Sequence, residues 1–129
     1  MRLKGAFFMK NIVYIFIGGG LGSICRYFLS NCIQKMINVG TFPLGTFLVN
    51  FIGCFLIGLL SSYFLKVDNA LKFLLITGFC GGFTTFSTFS AENYSLWQSE
   101  SYGTLLLYIL LSVVLGFVGV ILGVHMIKN

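Results

Sequence analysis

Apolar runs separated by short polar connections cover almost the whole chain. They fall at about 12–33, 44–65, 71–97 and 102–127. Each is close to the roughly 20 residues that an α-helix needs to cross a bilayer. The pattern therefore predicts an all-α membrane protein: one domain, residues 1–129, of four transmembrane helices. Pro43 suits the start of the second helix, where its missing N–H costs nothing. Val67-Asp68-Asn69 reads as a turn between the second and third spans, and residues 98–103 join the third to the fourth.

The third run differs in kind. Gly78-Phe79-Cys80-Gly81-Gly82-Phe83-Thr84-Thr85-Phe86-Ser87-Thr88-Phe89-Ser90-Ala91-Glu92 places hydroxyls, glycines and spaced phenylalanines where lipid-facing residues should be. The Gly81-Gly82 pair argues against a continuous helix, since each Gly costs about 1 kcal/mol relative to Ala in a helix interior. A helix broken at bilayer depth must be buried in protein or face water, so the run points to a lined path and to transport. Freed carbonyls at such a break can bind a cation, and half-helix N-termini favour anions.

Composition narrows the class. Of the 129 residues, 57% are hydrophobic and only 9% charged, too few charges to cover a soluble surface. The net charge of +5 does not indicate nucleic acid, because the eight basic residues are scattered and mostly flank apolar runs. Flanking charge sets membrane orientation instead. Four spans put both termini on one side with Arg2, Lys4, Lys10, Lys66, Lys72 and Lys128, against Lys35 and Arg26, which favours cytoplasmic termini. Met9 is a second candidate start. Counted from there, Lys10, Lys66, Lys72 and Lys128 oppose Arg26 and Lys35, a bias weak enough for mixed insertion. The basic N-terminus resembles a signal peptide, but its apolar stretch is too long and lacks a small-residue cleavage site. Cys25, Cys32, Cys54 and Cys80 form no CxxC pair and lie far from the single His125, so they read as small buried apolar residues.

A few polar residues within the spans could carry chemistry. Arg26 reads either as an interfacial anchor or as a cation facing an aqueous vestibule. Asn50 reads as a structural interhelical hydrogen-bonding residue or as a donor to a permeating species, with Thr46 one turn before it on the same face. Phe83, Phe86 and Phe89 recur at i+3, interleaved with Thr85, Ser87, Thr88 and Ser90. Aromatic edges are electropositive, so such a surface could receive a small anion. Glu92 reads as an interfacial carboxylate, a vestibule residue or a proton acceptor. Tyr108 and Ser112 share a face of the fourth span. Glycines at helical spacing, such as Gly18 with Gly22 and Gly116 with Gly119 and Gly123, mark helix interfaces. No carboxylate pair, metal-ligand spacing, nucleotide-binding loop or catalytic triad is present, so an enzyme is not expected.

The motifs are similar to those of a known family. Gly19-Gly20-Leu21-Gly22-Ser23-Ile24-Cys25-Arg26-Tyr27, Gly45-Thr46-Phe47-Leu48-Val49-Asn50-Phe51-Ile52-Gly53 and the run from Gly78 to Glu92 resemble, in order, three signatures of the Fluc (CrcB) fluoride channels. The resemblance implies a fluoride-selective passive channel of the plasma (inner) membrane that protects a microbe from fluoride. It implies an antiparallel, dual-topology homodimer of four-helix subunits with two fluoride pores and a central structural sodium ion. Phe86, Phe89 and Asn50 would form the pore with Thr46 nearby, and Tyr108 and Ser112 would form a polar track. Thr85 and Thr88 join the expected lining. Arg26 and Glu92 would occupy vestibules, and the Gly81 and Thr84 carbonyls would hold sodium. Gly116 stands where some relatives carry another Ser.

The alternatives are a proton-coupled exporter of small ions or small drugs with the same four-helix, dual-topology plan, and a helical subunit that only packs and assembles. A small multidrug exporter needs a carboxylate deep in the first helix, and this chain has none there. A pure packing subunit would explain the glycines but not the interleaved hydroxyls and phenylalanines. A proton-coupled fluoride antiporter has Glu92 as its sole candidate carboxylate within a span.

Overall fold

The computed structural model describes residues 2–67 and 69–128. Asp68, at the centre of the expected turn, lies outside the described residues. Helix α1 (Arg2–Met36) is followed by α2 (Leu44–Lys66). The third span is composite: a π-helical stretch (Phe73–Cys80), a single turn α3 (Gly81–Phe83) and then α4 (Phe86–Gln98). Helix α5 (Tyr102–Lys128) completes the chain. The helices long and apolar enough to cross a membrane are Lys4–Met36, Leu44–Lys66, Phe73–Gln98 and Tyr102–Ile127. At 35 residues, α1 rises about 52 Å, well beyond a hydrocarbon core of roughly 30 Å. It starts some ten residues before the expected boundary because nothing after Arg2 interrupts the helix.

Close backbone contact organises the bundle in two seams. In the first, α1 lies on the π-helical stretch and α3. A methyl group on Gly18 would overlap the Leu74 carbonyl, one on Gly22 the Phe79 carbonyl, and one on Gly82 the Gly19 carbonyl. In the second, α2 lies along α5, and Gly58 and Gly123 meet the carbonyls of Val120 and Phe55 in the same way. Only small residues let helix axes approach this closely, and the contact is then backbone against backbone. The interior of one chain is correspondingly thin: Val49, Cys80, Phe83, Leu96 and Tyr108 are its buried apolar side chains among the described residues. Large side chains such as Phe16 and Leu65 point outward, as they should where the solvent is lipid.

The third span breaks, but not at the glycines. Gly81 is helical (φ −63°, ψ −39°), whereas Thr84 (φ −86°, ψ 151°) and Thr85 (φ −147°, ψ 123°) are extended. Gly82 is small because Gly19 lies against it, not because the chain bends there. The two threonines end one helix and begin the next through their hydroxyls. Thr84 Oγ1 donates to the Cys80 carbonyl (2.9 Å), which also accepts from the Thr84 N–H (3.0 Å). Thr85 Oγ1 accepts from the Thr88 N–H (3.2 Å) as the N-cap of α4. The break also splits the expected phenylalanine stripe. Phe83 is buried and stacked on Phe79 (5.6 Å between ring centres, 12°), while Phe86 and Phe89 stand beyond the break on α4.

Gly22→Ala is expected to lower the thermal stability of purified protein by roughly 1–3 kcal/mol, the usual cost of overpacking. Gly20→Ala, whose added methyl meets nothing within 4 Å, should leave it unchanged or raise it by up to about 1 kcal/mol, since Ala is the better helix former. Thermal unfolding in detergent checks the pair, and equal midpoints would contradict the packing of this seam.

Candidate functional site

The break is held by one side chain from the neighbouring helix. Asn50 on α2 accepts from the Thr85 N–H at Oδ1 (3.0 Å) and donates from Nδ2 to the Thr85 carbonyl (3.2 Å). The carboxamide thus pairs with an extended residue as a neighbouring strand would, satisfying both backbone groups of Thr85. Unpaired, those groups would each carry a desolvation cost of about 1–3 kcal/mol. One Nδ2 hydrogen remains for another acceptor, since an amide NH₂ carries two donors. Both readings of Asn50 therefore remain compatible: it is an interhelical tie with one donor to spare.

Two cavities flank this tie. The first, about 340 Å³, is lined by Asn50, Cys54, Thr85, Phe86, Phe89 and Ser112, among others. Phe86 and Phe89 face each other at 6.0 Å between ring centres. The Ser112 hydroxyl oxygen is buried there without a partner among the described residues. The second cavity, about 520 Å³, is polar-walled, with Ser30, Asn31, Gln34, Thr46, Glu92 and Ser95 in its lining. Tyr108 stands beside the path rather than in either wall: it is fully buried, its ring lies 5.0 Å from Phe89, and its hydroxyl donates to Glu92 Oε1 (3.2 Å). Thr46 lies beside both Glu92 and Tyr108. Thr46 and Asn50 are one turn apart on α2, and Tyr108 and Ser112 one turn apart on α5. The smaller cavity is walled by α2, α4 and α5 and the larger by α1, α2 and α4, so the two share α2 and α4. The Thr88 hydroxyl accepts from Thr85 Oγ1 (3.2 Å), and Thr88 lines neither chamber.

The carbonyl end of the broken helix meets one cationic side chain. Arg26 Nε donates to the Gly82 carbonyl (3.1 Å), a cation at a helix C-terminus, where the macrodipole favours it. Arg26 lines neither chamber. The carbonyls of Gly81 and Thr84 have no hydrogen-bond donor among the described residues. Those oxygens are hard ligands suited to a hard monovalent cation.

Some participants were not singled out from sequence. Phe42, in the turn before α2, sets its ring edge-on to Tyr108 at 5.4 Å. Gln34 Oε1 accepts from the Gly45 N–H (3.0 Å), satisfying a donor at the start of α2 from α1. Cys54 lines the smaller chamber, and its spacing of four from Asn50 was a readable signal.

Comparison with known proteins follows the same lines. The profile of the family described as CrcB-like protein, Camphor Resistance (CrcB), matches residues 13–124. A protein of Flavobacterium psychrophilum named fluoride-specific ion channel FluC is 50% identical over 124 residues, covering 94% of this chain and 99% of the relative. A protein of the same name from Azobacteroides pseudotrichonymphae is 48% identical over 118 residues, 89% of this chain and 94% of the relative. Another from Phocaeicola vulgatus is 46% identical over 120 residues, 92% and 98%.

Replacing Asn50 by Leu removes both partners of Thr85 at a site that water reaches poorly. The expected result is a loss of roughly 1–3 kcal/mol or more of stability, read as a lower unfolding midpoint in detergent. An unchanged midpoint would mean that Asn50 does not hold the break.

Proposed function

This chain belongs to the CrcB-like family, and from that premise we propose that it is a fluoride-selective passive channel of the plasma membrane, a multi-pass protein and not an enzyme. The observation that carries the reading is the smaller chamber, where an Asn50-held break brings Phe86, Phe89 and an unpartnered Ser112 hydroxyl around one space. Fluoride is small and strongly hydrated, so its water shell has to be replaced group by group. The spare Asn50 N–H, the Ser112 hydroxyl and the electropositive edges of Phe86 and Phe89 can do this. Phe86 and Phe89 stand side by side with 6.0 Å between ring centres and present ring edges to one chamber wall. The polar chamber at Thr46 and Glu92 is the approach to this filter, and Phe89 against Tyr108 is the partition that the ion passes.

In this reading passage is passive and the ion follows its gradient. Hydrogen fluoride enters cells as a weak acid and dissociates inside, making that gradient outward. Export through the channel lowers internal fluoride and protects the cell.

Two further features of the assembly belong to the proposal. The working unit is a homodimer of oppositely oriented subunits. Its support is the 80% exposure of Phe86 in a single copy, which leaves a chamber wall uncovered, and the weak charge bias of a chain begun at Met9. The Gly81 and Thr84 carbonyls would hold a structural sodium ion. Those carbonyls suit it because they lack donors at the open end of a helix. When bound, sodium neutralises the carbonyl end of the break and ties the two subunits together.

Phe86→Ile and Phe89→Ile should each cut fluoride efflux from reconstituted liposomes by ~10-fold or more, equivalent to about 1.4 kcal/mol on the barrier, while the protein still elutes as a folded dimer. Unchanged efflux in both, followed with a fluoride electrode, would overturn the phenylalanine lining. Exchange of sodium for N-methylglucamine should lower both the unfolding midpoint and the flux. Indifference of both to sodium would remove the ion from the account.

A further inference from the structure

One end of the bundle carries a surface that neither chamber uses. Helix α1 runs antiparallel to α2, with Gly45 set against the Ser30 carbonyl. Going back along α1 from Ser30 to Lys10, and the same distance forward along α2 from Gly45, brings Lys10 level with Leu65 and Lys66. Helix α2 ends there, but α1 goes on. Residues 2–9 carry it about 12 Å further. No neighbouring helix follows: residues 4–10 are all exposed, and a methyl added to Gly5 would meet nothing within 4 Å. Lys10 and Lys35 lie about 38 Å apart along α1, so they bracket a hydrocarbon core of roughly 30 Å and leave the extension in the headgroup layer beyond it.

The extension is basic and apolar at once. Lys4, Phe7, Phe8 and Lys10 follow at steps of three and four residues, and Phe7 and Phe8 are 62% and 64% exposed. The Lys10 ammonium stands over the Tyr14 ring (5.5 Å), and Lys66 is exposed in the last turn of α2. In sequence this end has Arg2, Lys4, Lys10, Lys66, Lys72 and Lys128 against Asp68 as its carboxylate, while Glu92 and Glu100 belong to α4 and the turn after it. We propose that the extension, together with Lys66, is a docking surface for anionic phospholipid headgroups. Lys4, Lys10 and Lys66 take the phosphates, and Phe7 and Phe8 enter the layer above the acyl chains. A zwitterionic headgroup brings its own ammonium, which repels the lysines, so the surface selects lipids of net negative charge. Basic residues beside a membrane span gain from a negative surface, and the gain fades within a Debye length, which is where this extension lies. The inference uses only the membrane placement of the four helices and stands apart from the channel reading.

The test is native mass spectrometry of the full chain in detergent, titrated with phosphatidylglycerol or with phosphatidylcholine of the same acyl chains. The wild type is expected to bind phosphatidylglycerol ~10-fold or more tightly, on a scale of roughly 5-fold per lysine near an anionic surface. The triple variant Lys4→Gln with Lys10→Gln and Lys66→Gln loses the preference. Lys35→Gln, at the other end of α1, keeps it. Excess inorganic phosphate leaves the lipid in place, because the rings hold it as well. Phe8→Trp retains every lysine and keeps the proposal falsifiable if the triple variant does not fold. Brominated phosphatidylglycerol should quench the added fluorescence of Phe8→Trp more strongly than brominated phosphatidylcholine. The proposal is overturned if the two lipids bind or quench alike, if the triple variant keeps the preference, or if Lys35→Gln loses it as fully. Displacement of the lipid by inorganic phosphate would overturn it too, in favour of a site for the free anion.

Discussion

Two hydrogen bonds between Asn50 and the backbone of Thr85 are the constraint on which the rest of this structure depends. A helix cannot open at bilayer depth unless its freed N–H and C=O groups find partners, because lipid offers none. Regular helices solve this internally. Here a single carboxamide from α2 supplies donor and acceptor together, while the hydroxyls of Thr84 and Thr85 close the helix ends on either side. With Thr85 satisfied, the chain can run extended for two residues and then resume as α4.

The opening has electrical as well as steric consequences. The carbonyl end of one half-helix and the N–H end of the next come to one level, with opposite partial charges. Arg26 attends the carbonyl end through Gly82, while the oxygens of Gly81 and Thr84 have no donor among the described residues. On the other side, α4 begins with Phe86 and Phe89 directed at the chamber that Asn50 also lines. The Arg26 contact and the phenylalanine-walled chamber are thus separated by a few residues of backbone. The glycine seams serve this arrangement from a distance: Gly18, Gly22 and Gly82 let α1 lie against the first half-helix closely enough for Arg26 to reach its end.

How much of this the amino-acid sequence discloses varies with the length scale of the rule involved. The spans are legible because the bilayer fixes their length, and the threonine–phenylalanine run is legible because lipid would not tolerate it. The place of the break was misassigned by a few residues. Helix propensity penalises Gly81 and Gly82, but tertiary contact with α1 reverses that preference, and the β-branched, hydroxyl-bearing Thr84 and Thr85 yield instead. That shift moved Phe83 off the expected stripe and into the core. Asn50 was visible as an anomaly, but its partner was not, since pairing with residue 85 depends on how two helices lie side by side. The same holds for Phe42 against Tyr108 and for Tyr108 against Phe89. Cys54 reads from sequence as a small buried apolar residue, whereas it is half-buried and lines the smaller chamber. Cysteine is so often inert filling in membrane helices that its spacing from Asn50 carried no weight until the chamber was seen.

The measurement that reaches the central claim most directly is efflux from liposomes bearing the unmodified protein, with fluoride and chloride followed side by side and pH clamped equal across the membrane. The account predicts rapid loss of fluoride, retention of chloride, and no requirement for a proton gradient. Retention of both ions by folded protein in sodium, or fluoride movement that stops when the proton gradient is removed, would contradict it.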